Sequence, residues 1–304
     1  MSKQKILILG GSGFVSGTLA RMAVARGLDV WTVTRGQRAT VEGTTALIAD
    51  RKEAGALEQA VAESGAEWDL VVDCIGFDPA DARQDMALFR ARTPRLVFIS
   101  TDFVYDPLRR VFPQGEETDH YLLDYAPDTY GGKKRLCELE FMNGDCGDMA
   151  WTIFRPGHIY GPGSLLGCLP EHGRDPALLA KMRAGETLQL VGGGYFLQQP
   201  VFAPDLAELI LSVPGNAASR NQIYCSAGPE IIESKMFYQI IGDLLGVELK
   251  IGEIAVDQYW AENPDRASFL CHRIYDLSKL RASGLTAPST RMREGLRVHV
   301  ESMG

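Results

Sequence analysis

One stretch near the start of the chain decides the fold: Ile6-Leu7-Ile8-Leu9-Gly10-Gly11-Ser12-Gly13-Phe14-Val15-Ser16. Four consecutive apolar residues are typical of a buried strand, and the glycines that follow allow a tight turn in which the backbone can approach a phosphate. A helix that begins at this turn presents unpaired N–H groups and a partial positive charge. The order of strand, glycine turn, helix over 18–27 and second strand over 30–33 predicts a dinucleotide-binding unit.

Further apolar runs alternate with helix-like stretches along the whole chain. Strand-like runs cover 45–48, 70–74, 96–100, 152–154 and 222–225, and helix-like stretches cover 54–64, 80–91, 131–143, 234–245, 256–263 and about 291–300. This alternation predicts an α/β fold of the Rossmann type, a doubly wound parallel sheet with a smaller C-terminal lobe. We assign residues 1–156, with 191–230 returning to it, to the dinucleotide-binding domain, and 157–190 and 231–304 to a substrate-binding lobe.

The composition limits the classes of function. The 304 residues carry a net charge of −8, whereas a nucleic-acid-binding surface normally needs clustered Lys and Arg. No run of about 18 apolar residues is present to span a membrane, and the start of the chain lacks the anatomy of a signal peptide. The six cysteines are scattered without a Cys-x-x-Cys pair, so we expect reduced core thiols and no metal site. These observations predict a soluble cytoplasmic protein that binds no membrane, and they disfavour a nucleic-acid partner.

The pattern Tyr-x-x-x-Lys occurs twice, at Tyr130/Lys134 and at Tyr275/Lys279. Tyr130 opens a helix that follows the fifth predicted strand, so both side chains of that pair can project from one helical face toward the carboxyl edge of the sheet. Tyr275 is far from any predicted strand end, so we interpret it as structural. A tyrosine, whose usual pKa is about 10, needs a nearby ammonium to act as a base at neutral pH. Thr101, next to the end of the fifth strand, would orient a substrate oxygen.

Taken together, the motifs resemble those of the extended short-chain dehydrogenase/reductase family, which includes nucleotide-sugar epimerases, dehydratases and reductases. The matching segments, in the order typical of that family, are Gly10-x-x-Gly13-Phe14, Ser100-Thr101-Asp102-Phe103-Val104-Tyr105, Tyr130-x-x-x-Lys134, Arg155-Pro156-Gly157-His158-Ile159-Tyr160-Gly161-Pro162, Asp205-Leu206-Ala207 and Tyr275-Asp276-x-Ser278-Lys279. The resemblance implies a Rossmann domain, a bound nicotinamide dinucleotide and a catalytic group of Thr101, Tyr130 and Lys134, beside which we include Asp102. It also implies a homodimer.

The resemblance further indicates which residues contact the cofactor. These belong to the glycine turn, to the ends of the third, fourth and sixth strands and to the helix with the tyrosine and lysine: Gly10, Ser12, Gly13, Phe14, Val15, Asp50, Arg51, Cys74, Ile75, Gly76, Tyr130, Lys134, Pro156 and His158. The end of the second strand bears on the choice between NAD and NADP. An acid is usual there in NAD enzymes, whereas this chain has Thr34 and Arg35, followed shortly by Arg38. Because an arginine would bind a 2′-phosphate, we predict that Arg35 contacts NADP, with NAD as the alternative.

Three departures from the family pattern bear on the reaction. Phe103 follows Asp102 where dehydratases carry a glutamate, so an acid/base needed to eliminate water is missing. His158 and Gln198 stand where relatives that grip a nucleoside diphosphate often have Asn and Arg, which favours a smaller carbonyl or sugar substrate. We therefore predict an NAD(P)-dependent oxidoreductase that transfers a hydride to or from a carbonyl or alcohol carbon, with Tyr130 as acid/base. The alternatives are a nucleotide-sugar epimerase that retains its cofactor, and a dinucleotide- or RNA-binding protein.

Overall fold

The computed structural model describes residues 3–170 and 174–304. Its strands are β1 Lys5–Leu9, β2 Asp29–Thr34, β3 Thr44–Ile48, β4 Leu70–Asp73, β5 Arg95–Ile99, β6 Ala150–Pro156, β7 Ile159–Tyr160, β8 Thr187–Val191, β9 Leu197–Gln198, β10 Val201–Phe202, β11 Gln222–Ser226, β12 Ile232–Glu233 and β13 Lys250–Ile254. Its α-helices are α1 Phe14–Ala25, α2 Ala56–Ser64, α3 Pro79–Phe89, α4 Tyr130–Asn143, α5 Leu178–Arg183, α6 Ala203–Leu211, α7 Ser234–Leu245, α8 Val256–Glu262, α9 Ser278–Ala282 and α10 Met292–Glu301. Short 3₁₀ turns also occur, among them Asp102–Val104 and Pro264–Phe269.

Seven parallel strands form the central sheet in the order β11-β6-β5-β4-β1-β2-β3. Each corresponds to an apolar run in the sequence, and Leu7 in β1 pairs with Trp31 in β2 on one side and with Val71 in β4 on the other. After β3 the chain crosses to the other side of β1, which places a topological switch point at the carboxyl ends of β1 and β4. Ligands of such sheets bind at this point. The predicted doubly wound α/β fold is confirmed.

Helices cover both faces of the sheet, which explains why its strands are continuously apolar. Ile6 and Ile8 of β1 pack in a core with α1 and α6, whereas Leu7 and Leu9 pack in a second core with α2, α3 and α4. Fully burying one such side chain contributes about 1.5–3 kcal/mol. The two cores therefore hold the strand ends, and the loops that follow them, in fixed positions.

A third core lies mainly in the part of the chain that the sequence assigns to the lobe. Tyr160, Phe237 and Leu296 are buried in it, and β8 pairs in parallel with β13. The strands β7, β8, β9, β10, β12 and β13 were not predicted, because short segments carry too little periodic pattern. Leu280 and Leu285 belong to the stretch assigned to the lobe, but they are buried in the core of the sheet. The division into two domains stays a proposal, with the end of the chain shared between them.

Within residues 3–170 and 174–304, none of the helices is both long enough and apolar enough to cross a membrane. All six cysteines are free thiols, and four of them are buried: Cys137, Cys168, Cys225 and Cys271. They act as small core residues in this structure.

Candidate active site

The glycine turn between β1 and α1 has the form that a phosphate-binding turn requires. Gly10 and Gly11 have φ angles of +121° and +63°, a region that favours glycine, and a Cβ on Gly11 would lie 2.5 Å from the Cβ of Thr32. The N–H of Gly10 donates to the carbonyl of Val33, which fixes the turn against β2. Helix α1 begins at Phe14, so its first N–H groups have no carbonyl four residues earlier within the helix. The turn therefore fits a bound pyrophosphate.

Two adjoining cavities run from this turn along the carboxyl edge of the sheet. The first, of about 360 Å³, is bordered by seven residues predicted to bind the cofactor: Gly10, Ser12, Gly13, Arg35, Asp50, Arg51 and Ile75. The second, of about 660 Å³, is bordered by Gly13, Phe14, Val15, Cys74, Ile75, Thr101, Asp102, Tyr130, Lys134, Pro156 and His158 from the predicted set. Both are also bordered by Ser16 and Phe77, so they form one continuous cleft. Gly76 borders neither cavity, although its carbonyl oxygen accepts a hydrogen bond from Lys134.

Arg35 and Arg38 line the first cavity beyond the end of β2. Both side chains are exposed, and neither forms an ion pair with a carboxylate in the described part of the chain. Thr34, which precedes them, accepts a hydrogen bond from the Gly36 N–H through its hydroxyl and so shapes the loop. The cavity thus has two available guanidinium groups at the end where the second strand selects between cofactors.

Arg51 occupies a different position from the one expected of a cofactor-binding arginine. Its guanidinium is buried and donates to Asp73 at 2.9 Å and to Asp85 at 2.8 Å, and it also lies 3.4 Å from Asp81. Burial alone would lower the pKa of Arg51, but these carboxylates outweigh it and raise the pKa. Arg51 therefore ties the loop after β3 to β4 and α3 through its charge, and only part of its side chain borders the cavity. Asp50 borders the same cavity and accepts the Lys52 N–H.

The structure brings Thr101, Tyr130 and Lys134 together at the second cavity. Thr101 follows β5, and its hydroxyl accepts the N–H of Phe103 at 3.3 Å, which starts a 3₁₀ turn. Tyr130 is the first residue of α4, and half of its side chain is exposed to the cleft. Lys134, one helical turn later, is buried and donates to the carbonyls of Gly76 and Ile99, both at 2.6 Å. The lysine thus joins the ends of β4 and β5 beneath the tyrosine.

The pKa values in this group differ from those expected from the sequence. Desolvation raises the pKa of Tyr130, while the Thr101 hydroxyl, close enough to hydrogen-bond to the phenol, opposes the shift. Burial lowers the pKa of Lys134, and the nearby Asp73 opposes that shift. Because the ammonium group is directed at two carbonyls, it does not bring the phenol of Tyr130 into the range of a base in this structure. Tyr130 is therefore protonated at neutral pH.

Two glycines let the start of α4 approach the loop after β5. A Cβ on Gly131 would lie 2.0 Å from the carbonyl oxygen of Phe103, and a Cβ on Gly132 would lie 2.4 Å from that of Ala126. Neither position has room for a side chain, since the atoms in the way belong to the backbone. The Thr129 hydroxyl accepts the N–H of Gly132 and caps the helix. The backbone itself therefore sets how far Tyr130 lies from the loop that carries Thr101.

Asp102, which the sequence grouped with the catalytic residues, is engaged by buried side chains and is not available for proton transfer. Its Oδ2 atom is contacted by Arg110 at 3.1 Å, by Arg273 and by the hydroxyl of Tyr275 at 2.7 Å. Burial alone would raise the pKa of Asp102, but Arg273 and Arg110 outweigh it and lower the pKa. Asp102 is therefore an ionised group in a buried cluster that holds two cations and one carboxylate. We refer to Asp102, Arg110, Arg273 and Tyr275 as the Asp102 cluster.

Tyr275 lies closer to the site than the sequence indicated. It is buried, its hydroxyl reaches Asp102 directly after β5, and its ring lies 3.1 Å from where a Cβ on Gly157 would be. The expectation that Tyr275 is far from any strand end was wrong, because the chain returns from the lobe to the sheet before α9. Its position within a hydrogen-bonded cluster agrees with the structural interpretation of this second motif.

A buried ionic network below the tyrosine was missed by the sequence analysis. Glu138 accepts hydrogen bonds from Arg155 at 2.9 and 2.7 Å, from Arg135 at 2.8 Å and from the Ser100 hydroxyl at 2.6 Å. Glu138 and Arg155 are fully buried. The signal was present in the spacing, because Glu138 is one helical turn after Lys134 and so lies on the same inward face of α4. The network fixes α4 to β5 and β6 behind Thr101.

His158 and Gln198, the two departures from diphosphate-gripping relatives, lie in different surroundings. His158 borders the second cavity, and desolvation together with Arg174 lowers its pKa to about 4, so the imidazole is neutral. Gln198 is fully buried in the short pair of β9 with β12, and it does not border either cavity. Gln198 is thus not in a position to contact a ligand in the cleft.

The fold is of the Rossmann type with a cleft at its switch point, and comparisons with known proteins identify the family of the chain. A model of the NAD dependent epimerase/dehydratase family matches residues 6–224. The chain therefore belongs to this family, and the predicted membership of the extended short-chain dehydrogenases/reductases is confirmed.

Among curated proteins, the chloroplast stem-loop binding protein of 41 kDa b of Arabidopsis thaliana is 24% identical over 246 residues. The match covers 76% of this chain and 60% of that protein, so this chain spans only about three fifths of its curated relative.

Solved structures with the same fold cover nearly the whole chain. UDP-glucose 4-epimerase of Thermotoga maritima, solved with UDP-glucose, is 19% identical with a TM-score of 0.74, over 98% of both chains. UDP-N-acetylglucosamine 4-epimerase of Methanobrevibacter ruminantium, in complex with UDP-N-acetylmuramic acid, is 15% identical with a TM-score of 0.78, over 99% of this chain and 98% of that one. dTDP-glucose 4,6-dehydratase of Bacillus anthracis, in complex with NAD, is 16% identical with a TM-score of 0.77, over 98% and 96%.

Proposed function

We propose that the protein is an NADP-dependent oxidoreductase that reduces a carbonyl carbon of a sugar-like substrate, with Tyr130 as the proton donor. The observation that carries this proposal is a protonated phenol next to the Thr101 hydroxyl, in a cleft continuous with a phosphate-binding turn. A tyrosine whose pKa is raised serves better as an acid than as a base at neutral pH. In the reducing direction, which we propose, the phenol of Tyr130 starts in the protonated form that the reaction requires.

A nicotinamide dinucleotide fits the two adjoining cavities of the cleft. Its pyrophosphate would lie on the glycine turn at Gly13, its adenosine in the cavity bordered by Arg35 and its nicotinamide in the cavity bordered by Tyr130. When bound, the reduced nicotinamide supplies the hydride. The described structural neighbours with NAD and sugar nucleotides support a cofactor and a sugar substrate of this kind.

The residues of the chain then complete the reaction. The Thr101 hydroxyl holds the substrate oxygen, and Tyr130 donates its phenolic proton to that oxygen as the alkoxide develops. Lys134 keeps the ends of β4 and β5 joined, so that the floor of the site does not shift. The neutral His158 offers a further uncharged hydrogen-bonding group to the substrate.

The same cleft argues against dehydration. Eliminating water needs an additional group that can give or take a proton near the tyrosine. The carboxylate of Asp102 is engaged by Arg110 and Arg273, and Phe103 stands where dehydratases carry a glutamate. We therefore infer that the reaction stops at hydride and proton transfer.

NADP is proposed over NAD on the basis of charge. Arg35 and Arg38 present two exposed guanidinium groups to the cavity that would hold the adenosine. A 2′-phosphate is an anion that guanidinium groups bind through charge-assisted hydrogen bonds. Thr34 leaves the end of β2 without the carboxylate that would repel this phosphate.

The experiment that tests the proposed function is the Tyr130→Phe variant. We expect kcat to fall by about 10²- to 10⁴-fold, because general acid catalysis is lost, while NADPH binding measured by calorimetry stays the same. Tyr125→Phe, which removes another hydroxyl from an exposed tyrosine, is the matched control and should keep wild-type kcat. If Tyr130→Phe keeps kcat and Tyr275→Phe loses it, the second motif is the catalytic one and the proposal is wrong.

Release of cofactor separates a reductase from an epimerase. A reductase converts reduced cofactor in proportion to substrate, which is followed by the absorbance of the reduced nicotinamide. An epimerase that keeps its cofactor shows turnover without net oxidation, and that result would replace the proposed reaction.

RNA binding is a second candidate because the curated relative is a stem-loop binding protein. The net charge of −8 opposes it, since phosphate backbones are bound by clustered cations. Binding of a structured RNA hairpin to the protein at moderate salt would support this function. Failure of the hairpin to bind even at low salt would exclude RNA binding.

A further inference from the structure

The charged side chains that border the second cavity are not equivalent. In the described part of the chain they are Asp102, Lys134 and Arg174. Asp102 is paired within the Asp102 cluster, and Lys134 donates to two carbonyls. Arg174 is exposed and contacts the face of the Phe14 ring at 5.9 Å, and it forms no ion pair in residues 3–170 and 174–304. The cavity therefore has one guanidinium group that is available to a ligand.

The Asp102 cluster adds positive charge to the wall of the same cavity. It holds two guanidinium groups and a single carboxylate, and all three are buried. The guanidinium of Arg273 lies 4.3 Å from the centre of the Phe103 ring, and Phe103 borders the cavity. Two nitrogens of Arg110 and one of Arg273 are buried without a hydrogen-bond partner among the residues that the structure describes. The cluster thus carries one more positive charge than negative charge beside the cavity, and charges act over longer distances in a buried environment than in water.

His158 is the third side chain of the cavity that could carry a positive charge, and it does not carry one. Desolvation and the proximity of Arg174 lower the pKa of His158 to about 4, so it is neutral at pH 7. The remaining walls near the tyrosine are mainly aromatic or apolar: Phe14, Phe103, Leu169 and Phe269. A cavity with largely apolar walls, a surplus of positive charge in one wall and one guanidinium without an ion pair is suited to a small molecule with a single anionic group.

We propose that the substrate of this cleft is a sugar-sized carbonyl compound with one negatively charged group, a carboxylate or a phosphate monoester, that is bound by Arg174. This inference rests on the proposed function for the position of the reacting carbonyl at Tyr130. The cavity of about 660 Å³ also has to hold the nicotinamide, which leaves space for a sugar-sized molecule. Arg174 thereby determines which sugars enter the site, whereas Tyr130 acts on the carbonyl.

Binding of three sugars to the NADP-loaded protein tests the proposal without requiring turnover. Glucose has no charge, glucuronate has a carboxylate and glucose 6-phosphate has a phosphate monoester, so the two charged arms distinguish the two anions. We expect calorimetry to show that at least one charged sugar binds about tenfold to a hundredfold more tightly than glucose, since a hydrogen bond to a charged group is worth this factor. The preference should shrink at high salt.

Arg174→Gln should abolish this preference, and Arg183→Gln is the matched control. Arg183 lies near the end of α5, is exposed and borders no described part of the cavity, so its variant should retain the preference. A preference that survives in Arg174→Gln, or charged sugars that bind no more tightly than glucose, including no binding at all, would overturn the proposal. Tyr130→Phe should keep the preference. If it does so while the wild-type protein reduces no carbonyl compound, the proposed function fails and the anion site remains.

Discussion

Glu138→Gln is the variant that most directly measures what holds the tyrosine helix in place. The substitution keeps the shape of the side chain but removes the charge that Arg155 and Arg135 share at 2.7–2.9 Å. Arg155 has no exposed surface, and it also donates hydrogen bonds to the Tyr105 hydroxyl and to the carbonyl of Glu116, neither of which carries a charge. The variant therefore leaves a buried guanidinium without its counter-charge.

The burial of Arg155 determines how much stability Glu138→Gln should lose. Removing one partner of a buried ion pair costs about 3–5 kcal/mol, because the remaining charge stays desolvated. Glu140→Gln on the same helix is the matched control, since Glu140 is partly exposed and pairs with Arg83 at the surface. A surface pair of this kind contributes about 0–1 kcal/mol. The free energy of unfolding of Glu138→Gln should thus be about 2 kcal/mol or more below that of Glu140→Gln.

The assay is urea unfolding, compared between variants whose free energy of unfolding depends on urea concentration with the same slope. The pH dependence of that free energy is a second readout. Burial alone would raise the pKa of Glu138, but Arg155 and Arg135 outweigh it, so the pKa is lower in the folded protein than in the unfolded chain. The network's contribution is therefore present above the unfolded pKa and is lost as the pH falls through the folded value. This acid-dependent loss should be smaller in Glu138→Gln. If Glu138→Gln unfolds at the same urea concentration as Glu140→Gln, the network does not stabilise the fold.

Two further variants test the cofactor and the Asp102 cluster. Arg35→Ala should weaken NADPH binding by about ten- to a hundredfold, the worth of about 1.5–3 kcal/mol for a charge-assisted contact, with little change for NADH; calorimetry with both cofactors measures this, and tighter NADH binding by the wild-type protein would overturn the NADP assignment. Asp102→Asn should lower the free energy of unfolding by about 3–5 kcal/mol, because Arg110 and Arg273 lose their counter-charge. A kcat reduced as strongly as in Tyr130→Phe, with unchanged urea unfolding, would instead show that Asp102 takes part in the chemistry.

The sheet could be predicted from the sequence because its strands are buried on both faces. Residues such as Leu7 and Ile8 enter different cores, so the run of apolar residues has no gaps and is easy to recognise. The placement of Tyr130 and Lys134 also followed from the sequence, since a helix after β5 projects them to the carboxyl edge of the sheet. Local pattern was sufficient for both.

The charge partners within the site could not be predicted in the same way. Arg273 reaches Asp102 across 171 positions of the chain, and no periodic pattern links residues so far apart. The direction of the Lys134 ammonium toward the carbonyls of Gly76 and Ile99 likewise depends on how two loops pack. The sequence therefore identified which residues border the cleft, but not which of them have charges left for a ligand.

The close approach at Gly131 and Gly132 makes the position of Tyr130 independent of the side chains that line the rest of the cavity. Because the nearest atoms across this contact belong to the backbone, side chains of the lobe can be exchanged without changing the distance between α4 and the loop after β5. Under the proposed function, changes at cavity positions such as Arg174, Leu169 and Phe269 would alter the choice of substrate while Tyr130 keeps its place. The contact between these two backbone segments thus leaves the lining of the cavity free to vary.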